Sequence, residues 1–161
     1  MGPEWMDLIG LLRHESELMA RLVLVLQREK DGLGASDLAA IRDTAGQKGS
    51  LVPELDAVQR RRRDLAAAAL PGEAKPSLLR LLKAAPSDLS QELRRQVHKV
   101  VDLGEQIFLL NRGNGQMLLQ GQALLTERMD QLRFRDGRVT LYGPKAGVVS
   151  IGGASVIDRD L

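Results

Sequence analysis

Residues 5–29 read WMDLIGLLRHESELMARLVLVLQRE, and their spacing decides the fold. Apolar side chains recur in alternating steps of three and four at Trp5, Leu8, Leu12, Met19, Leu22 and Leu26, with Glu15 holding the one polar place in that series. A period of about 3.5 residues sustained over three heptads is the mark of an amphipathic helix in a bundle or coiled coil. Leu11, Leu18 and Val23 widen the apolar face beyond what a two-stranded seam needs, so several helices are expected to meet around it. At about 1.5 Å per residue the segment makes a rod roughly 38 Å long.

Working outward, Asp31-Gly32-Leu33-Gly34 is expected to end this first helix, over about 4–31, with glycines suited to a C-terminal cap. Ser36 with Asp37 then offers an N-cap and a favourable first-turn charge. A second helix is predicted over 37–70, with Leu38, Ile41, Ala45, Val52, Leu55, Val58 and Leu65 facing inward. Pro53 removes a backbone donor there, which predicts a kink or a break near Gly49-Ser50, with Ser50 recapping. The short link makes these two helices antiparallel neighbours. The segment from Pro71 to Pro76 reads as a connector. A short helix within 77–85, from Leu78 to Ala84, is capped by Ser77 and stopped by Pro86.

The third long helix is predicted over 87–132, carrying Leu93, Val97, Val100, Leu103, Ile107, Leu110, Met117, Leu118, Leu125, Met129 and Leu132. Within it Asn111-Arg112-Gly113-Asn114-Gly115 lowers helix propensity by roughly 1 kcal/mol per Gly relative to Ala, marking a candidate hinge. Beyond residue 132 the period is lost. Residues 133–161 hold Gly137, Gly143, Gly147, Gly152 and Gly153 with scattered β-formers, Val139, Leu141, Val148, Val149 and Ile151. Such a segment buries too little to offset its ordering entropy, and is expected to be flexible or ordered by a partner. The fold class is therefore all-α: long antiparallel helices in a bundle or coiled coil over 1–132, with an irregular Gly-containing C-terminal tail.

Composition narrows the chemistry. The 161 residues include 29 Leu but only four aromatics, Trp5, Phe108, Phe134 and Tyr142. Cys is absent, which excludes a disulfide framework, thiol catalysis and Cys-based zinc sites, and fits a reducing compartment. Glu4, Asp7, Arg13 and Glu15 break up any signal-like start, so a cytosolic location is expected. No run approaches the roughly 18 uncharged apolar residues of a membrane span, so no stable membrane insertion is expected. The net charge of +2 conceals a division: residues 1–59 carry six Lys/Arg against ten Asp/Glu, and residues 60–135 carry fourteen against eight.

His14 with Glu17, and His98 with Asp102, each stand one helical turn apart, but neither pair has a third ligand nearby in sequence. They read as solvated helix faces, and neither a metal nor a cofactor is expected. No nucleophile elbow or phosphate-binding loop occurs. Gly113-Asn114-Gly115 fails the dinucleotide fingerprint, since Leu118 takes the third glycine's place and no strand precedes it. An enzyme has no residues to stand on. Arg60 to Arg63 fan about 100° apart around a helix instead of forming one stripe, with no neighbouring aromatics, so nucleic acid is not an expected partner.

The stretch from Asn111 to Leu132 carries more. Its apolar residues come in adjacent pairs, Leu118-Leu119 and Leu124-Leu125, with Met117 and Met129, so more than one face is hydrophobic. One face can satisfy the bundle while another serves a partner helix. A helix central in a larger bundle gives the same pattern, and so does a helical adaptor or scaffold whose third helix pairs with its own copy as a homo-oligomer.

Several stretches together resemble the FlgN family of flagellar export chaperones. They are Leu22-x-x-x-Leu26-Gln27-x-Glu29, Lys48-x-x-Leu51-x-x-x-Leu55 and Asn111-Arg112-x-Asn114-Gly115-x-x-Leu118. The tail adds Leu141-Tyr142-Gly143-Pro144-Lys145-x-Gly147 and the ending Val156-Ile157-Asp158-Arg159. The resemblance implies a cytosolic, non-catalytic helical chaperone that binds the terminal helices of hook-filament junction proteins and delivers them to the type III export gate. Carried onto this chain, it puts partner binding at Asn111, Asn114, Gly115, Met117, Leu118, Leu125, Met129 and Leu132, and makes Tyr142 a candidate contact with cargo or gate.

Overall fold

A computed structural model describes residues 3–70, 72, 76–135, 138–142 and 148–152. In chain order the elements are α1 (Pro3–Ala35), α2 (Leu38–Ala69), α3 (Leu78–Ala84), α4 (Ser90–Arg135), β1 (Arg138–Tyr142) and β2 (Val148–Gly152). The chain divides into two compact units, Met1–Gln116 and Met117–Leu161. The first is all-helical, in line with the fold class read from the leucine spacing.

Helix α1 runs through the glycines that were expected to stop it. It ends where Ser36 turns to a φ of 55°. There the Ser36 N–H donates to the Leu33 carbonyl at 3.2 Å and the Asp37 N–H to the Gly32 carbonyl at 2.8 Å, which closes a Schellman motif with serine at the left-handed position. Gly32 serves a different end: a Cβ there would lie 3.2 Å from the Ala40 Cβ, so the missing side chain lets α2 approach closely. The N-cap of α2 is Asp37, one residue beyond Ser36, and its carboxylate accepts from the Ala39 and Ala40 N–H groups at 3.0 and 3.1 Å.

Helix α2 continues unbroken across Pro53, so of the expected kink or break near Gly49-Ser50 the break does not occur. The Gly49 carbonyl that Pro53 deprives of a donor belongs to an exposed residue, where water can replace the missing bond. Ser50 does not recap; its hydroxyl donates to the Gln47 carbonyl at 3.0 Å. The inward face is also rotated from the expected one. Leu38, Ala45 and Val52 are exposed, whereas Thr44, Leu51 and Ala66 are buried and Ile41, Leu55, Val58 and Leu65 half-buried. The true seam includes polar members that an apolar count passes over. Thr44 satisfies its hydroxyl on the Ala40 and Ile41 carbonyls, both at 2.9 Å, and Lys48 and Arg62 reach carboxylates on α1.

Those two ion pairs set the α1–α2 register. Glu15, 1% exposed, accepts from Arg62 Nε at 2.6 Å and from Gln59 Nε2 at 3.1 Å. Glu29, also buried, pairs with Lys48. Early α1 thus meets late α2, and late α1 meets early α2: the helices are antiparallel, as the short link requires.

The core gathers Trp5, Leu8, Ile9, Leu12 and Met19 of α1 with Ala66 of α2, Leu81 of α3 and Leu93, Val97 and Val100 of α4. A smaller cluster joins Leu18 and Val25 to Leu51. Each fully buried leucine contributes about 1.5 to 3 kcal/mol of transfer free energy. Helix α3 follows its expected span, with the Ser77 hydroxyl accepting from the Arg80 N–H at 3.2 Å. A turn at Pro86–Leu89 then delays the start of α4 to Ser90, three residues later than expected. Arg13 meets Glu92 at 3.2 Å, Met19 lies against Gly104, and Asn114 reaches Glu29, so α1 and α4 run in the same direction. Helix α4 stays helical through Asn111 to Gly115.

In the second unit the chain forms an antiparallel hairpin where an irregular tail was expected. Val139 pairs with Ile151 and Leu141 with Val149, so the β-formers noted in the sequence stand opposite one another. Gly143 to Gly147 and the ending Val156-Ile157-Asp158-Arg159 lie outside the described residues, as does most of the Pro71 to Pro76 connector.

Candidate partner-binding face

Helix α4 changes character along its length. Leu93, Gln96, Val97 and Val100 are buried near its start, and Asn114 is the last buried residue among those described. Gly115 and Met117 are half-buried, and from Leu118 to Leu132 every residue is exposed. Leu118, Leu125 and Leu132 follow at intervals of seven and Met129 stands one turn after Leu125, so these four share one face. Leu118 is 49% exposed, Leu125 66%, Met129 53% and Leu132 60%. Leu119 and Leu124, also exposed, flank that face on either side. Packing against the rest of the described chain therefore does not account for this apolar stretch.

The other residues singled out by sequence are placed differently. Asn111 is exposed. Asn114 is 2% exposed, and its amide donates to the Leu26 carbonyl at 2.9 Å and to Glu29 Oε2 at 2.8 Å, both on α1. Tyr142 ends β1, paired with Val148. Three residues from separate stretches of the sequence, Glu29, Lys48 and Asn114, converge on one buried polar cluster. Spacing along each helix shows Glu29 and Lys48 as ordinary charges; their convergence depends on the helix register.

Charged groups elsewhere form surface or seam pairs. His14 lies 3.9 Å from Glu17 and 4.0 Å from Glu54 on an exposed face. Of the four consecutive arginines, Arg60 pairs with Asp56 at 2.7 Å and Arg62 turns inward to Glu15, so they do not act as one cationic stripe. Glu92 accepts from Gln96 at 2.8 Å and from Arg13, and pairs with Arg95. The Gln96 amide first, and then Arg13 and Arg95, hold its carboxyl below the ordinary value against the opposing effect of desolvation. Among the described residues no group of three or more His, Cys, Asp or Glu is placed to hold a metal, and no helix is long and apolar enough to cross a membrane.

The exposed face of α4 offers neither a nucleophile nor a charge relay. What it offers is aliphatic and thioether surface at helical spacing, which is suited to adhesion to another amphipathic helix. The FlgN protein family model matches the chain over residues 1–150. No curated protein and no solved structure matches it. With 150 of its 161 residues covered, the chain belongs to the FlgN family, a family of non-enzymatic flagellar chaperones.

Proposed function

We propose that this protein is a cytoplasmic export chaperone that binds the terminal helices of hook-filament junction proteins, keeps them soluble and unassembled, and delivers them to the type III export gate. The observation that carries the reading is the run of exposed apolar residues on α4, with Leu118, Leu125, Met129 and Leu132 on one face and nothing in the described chain covering them. An amphipathic terminal helix of a junction subunit exposes a seam of its own before assembly. Covering that seam with a complementary helix prevents premature association, and each fully buried Leu or Met contributes about 1.5 to 3 kcal/mol. Tyr142 and the hairpin that carries it are a second contact region, for cargo or for the gate.

Leu118→Glu and Leu125→Glu test the reading in co-purification with junction subunits from the same genome. Both are expected to abolish capture while circular dichroism and the melting temperature stay near those of the parent, because surface substitutions usually shift stability by no more than about 0.5 kcal/mol. Loss of helicity in these variants would assign the two leucines to the chaperone's own core. A stable homo-oligomer that survives dilution without cargo, measured by light scattering, would instead favour a self-pairing scaffold.

A further inference from the structure

Residues three and four apart are neighbours on a helix surface, so a helical glycine leaves a gap walled by the residues at those offsets. For Gly104 the walls are Val100, Val101, Ile107 and Phe108, all large and apolar, and the gap is occupied: a Cβ at Gly104 would lie 3.5 Å from Cε of Met19, a buried residue of α1. Gly121 repeats that frame with Met117, Leu118, Leu124 and Leu125 around it, yet a Cβ there would meet nothing within 4 Å among the described residues. Leu118, Leu124 and Leu125 are exposed and Met117 is half-buried. The usual reasons for a glycine do not operate within the described chain, since residue 121 is helical and nothing described approaches it. Glycine also weakens a helix relative to alanine, so local stability does not favour it. The other open helical glycines have a polar or small residue on at least one side: Asp7 at Gly10, Asp43 at Gly46, Gly46 at Gly49, Gln116 at Gly113 and Arg112 at Gly115.

Charge is missing from the same stretch. From Gly113 to Thr126 fourteen consecutive residues include no Asp, Glu, Lys or Arg, in a chain of which 27% is charged, although Leu118 to Thr126 are all exposed. Depletion of charge with enrichment of Met marks the centre of a protein interface, and here charge resumes only at the ends, with Arg112 before and Glu127, Arg128 and Asp130 after. We infer that Gly121 is the floor of a socket, walled by Met117, Leu118, Leu124 and Leu125, that takes one large aliphatic or thioether side chain from an uncharged stretch of the partner helix, and that this fit selects the partner. The inference rests on the reading of residues 118–132 as the partner-binding face. It centres that face on its first half and makes Gly121 a specificity-determining residue. A side chain seated over Gly121 approaches the backbone between the four walls, as Met19 does at Gly104, and a larger residue at 121 would occupy its place. With no charge near the socket, ion pairs with the partner are confined to the rim and contribute little to affinity.

The test measures binding of the full chain to a synthetic peptide spanning a terminal helix of a junction protein from the same genome. Gly121→Leu is expected to bind it weaker by about tenfold or more, although it adds apolar area to an apolar face. Gly121→Ala adds one methyl group and is expected to lose less. Gln120→Leu places the same leucine about 140° round the helix from Leu125 and is expected to bind like the parent. All three should keep their helicity by circular dichroism, because both positions are exposed. Truncating to alanine the peptide Leu or Met that fills the socket should lower affinity for the parent and leave affinity for Gly121→Leu unchanged. Between about 0.05 and 0.5 M NaCl the parent's affinity should shift by less than about threefold. Binding by Gly121→Leu as tight as the parent's, or tighter, overturns the socket while the chaperone reading stands, because area alone then holds the partner. An equal loss in Gln120→Leu, or a steep fall of the parent's affinity with salt, overturns it in the same way. A homo-oligomer of the parent that Gly121→Leu disperses assigns the socket to a second copy of the chain and not to cargo. If the parent does not bind the peptide, the partner-face reading fails and the socket with it.

Discussion

Ser36 holds a backbone conformation that L side chains disfavour, with φ at 55° and two backbone hydrogen bonds closing the end of α1 around it. Glycine adopts that geometry without the Cβ conflict, which is why it usually occupies this place in the motif. Ser36 is exposed, so the substitution removes no packing. Ser36→Gly is expected to raise the unfolding free energy by about 0.5 to 1 kcal/mol and Tm by roughly 1 to 4 °C, checked by thermal denaturation. The two glycines upstream suggested a stop at the wrong residues. Gly32 is there for the close approach of Ala40, a reason that exists only once α2 has folded back.

At the scale of elements, α1 and α2 are held in register less by their leucines than by the charges set among them. Fourteen residues separate Glu15 from Glu29, and the same fourteen separate Lys48 from Arg62. Two buried pairs two heptads apart on both helices match in only one antiparallel alignment. A slip of one heptad would set Glu15 against Leu55 or Ala69 and Glu29 against Ile41 or Leu55, leaving carboxylates buried without cations. Arg62→Met is accordingly expected to cost about 3 to 5 kcal/mol, because Glu15 stays buried with only Gln59 beside it. The double variant Glu15→Leu/Arg62→Met should recover most of that loss in chemical denaturation; an equal loss in the double would show that packing of the arginine stem, and not the stranded charge, sets the cost. The seam of α1 was legible because its apolar members are large. That of α2 departs from the apolar spacing at Leu38, Ala45 and Val52 because Thr44, Lys48 and Arg62 look like surface residues until their partners are in place.

For the molecule as a whole, Glu92 ties the start of α4 to α1 through Arg13. Its folded-state pKa is lowered, so the stability it contributes is present above the unfolded carboxylate value and is lost as pH falls through the folded one. Glu92→Gln is expected to lower Tm slightly at neutral pH, only slightly because the site is substantially solvated, and to converge with the parent as pH falls below the ordinary Glu range, read as Tm against pH. By itself the sequence determined the all-α class, the number of helices, the cap at Ser77, the antiparallel return of α2 and the family, since helical period, caps and turn residues are local and motif spacing survives without coordinates. Only the tertiary structure decided that Glu29, Lys48 and Asn114 meet, that Leu118 to Leu132 are exposed, and that α4 stays helical through its Asn/Gly stretch. Burial and pairing depend on what other elements bring to a position. A leucine in a helix has the same periodicity whether a neighbour covers it or leaves it open.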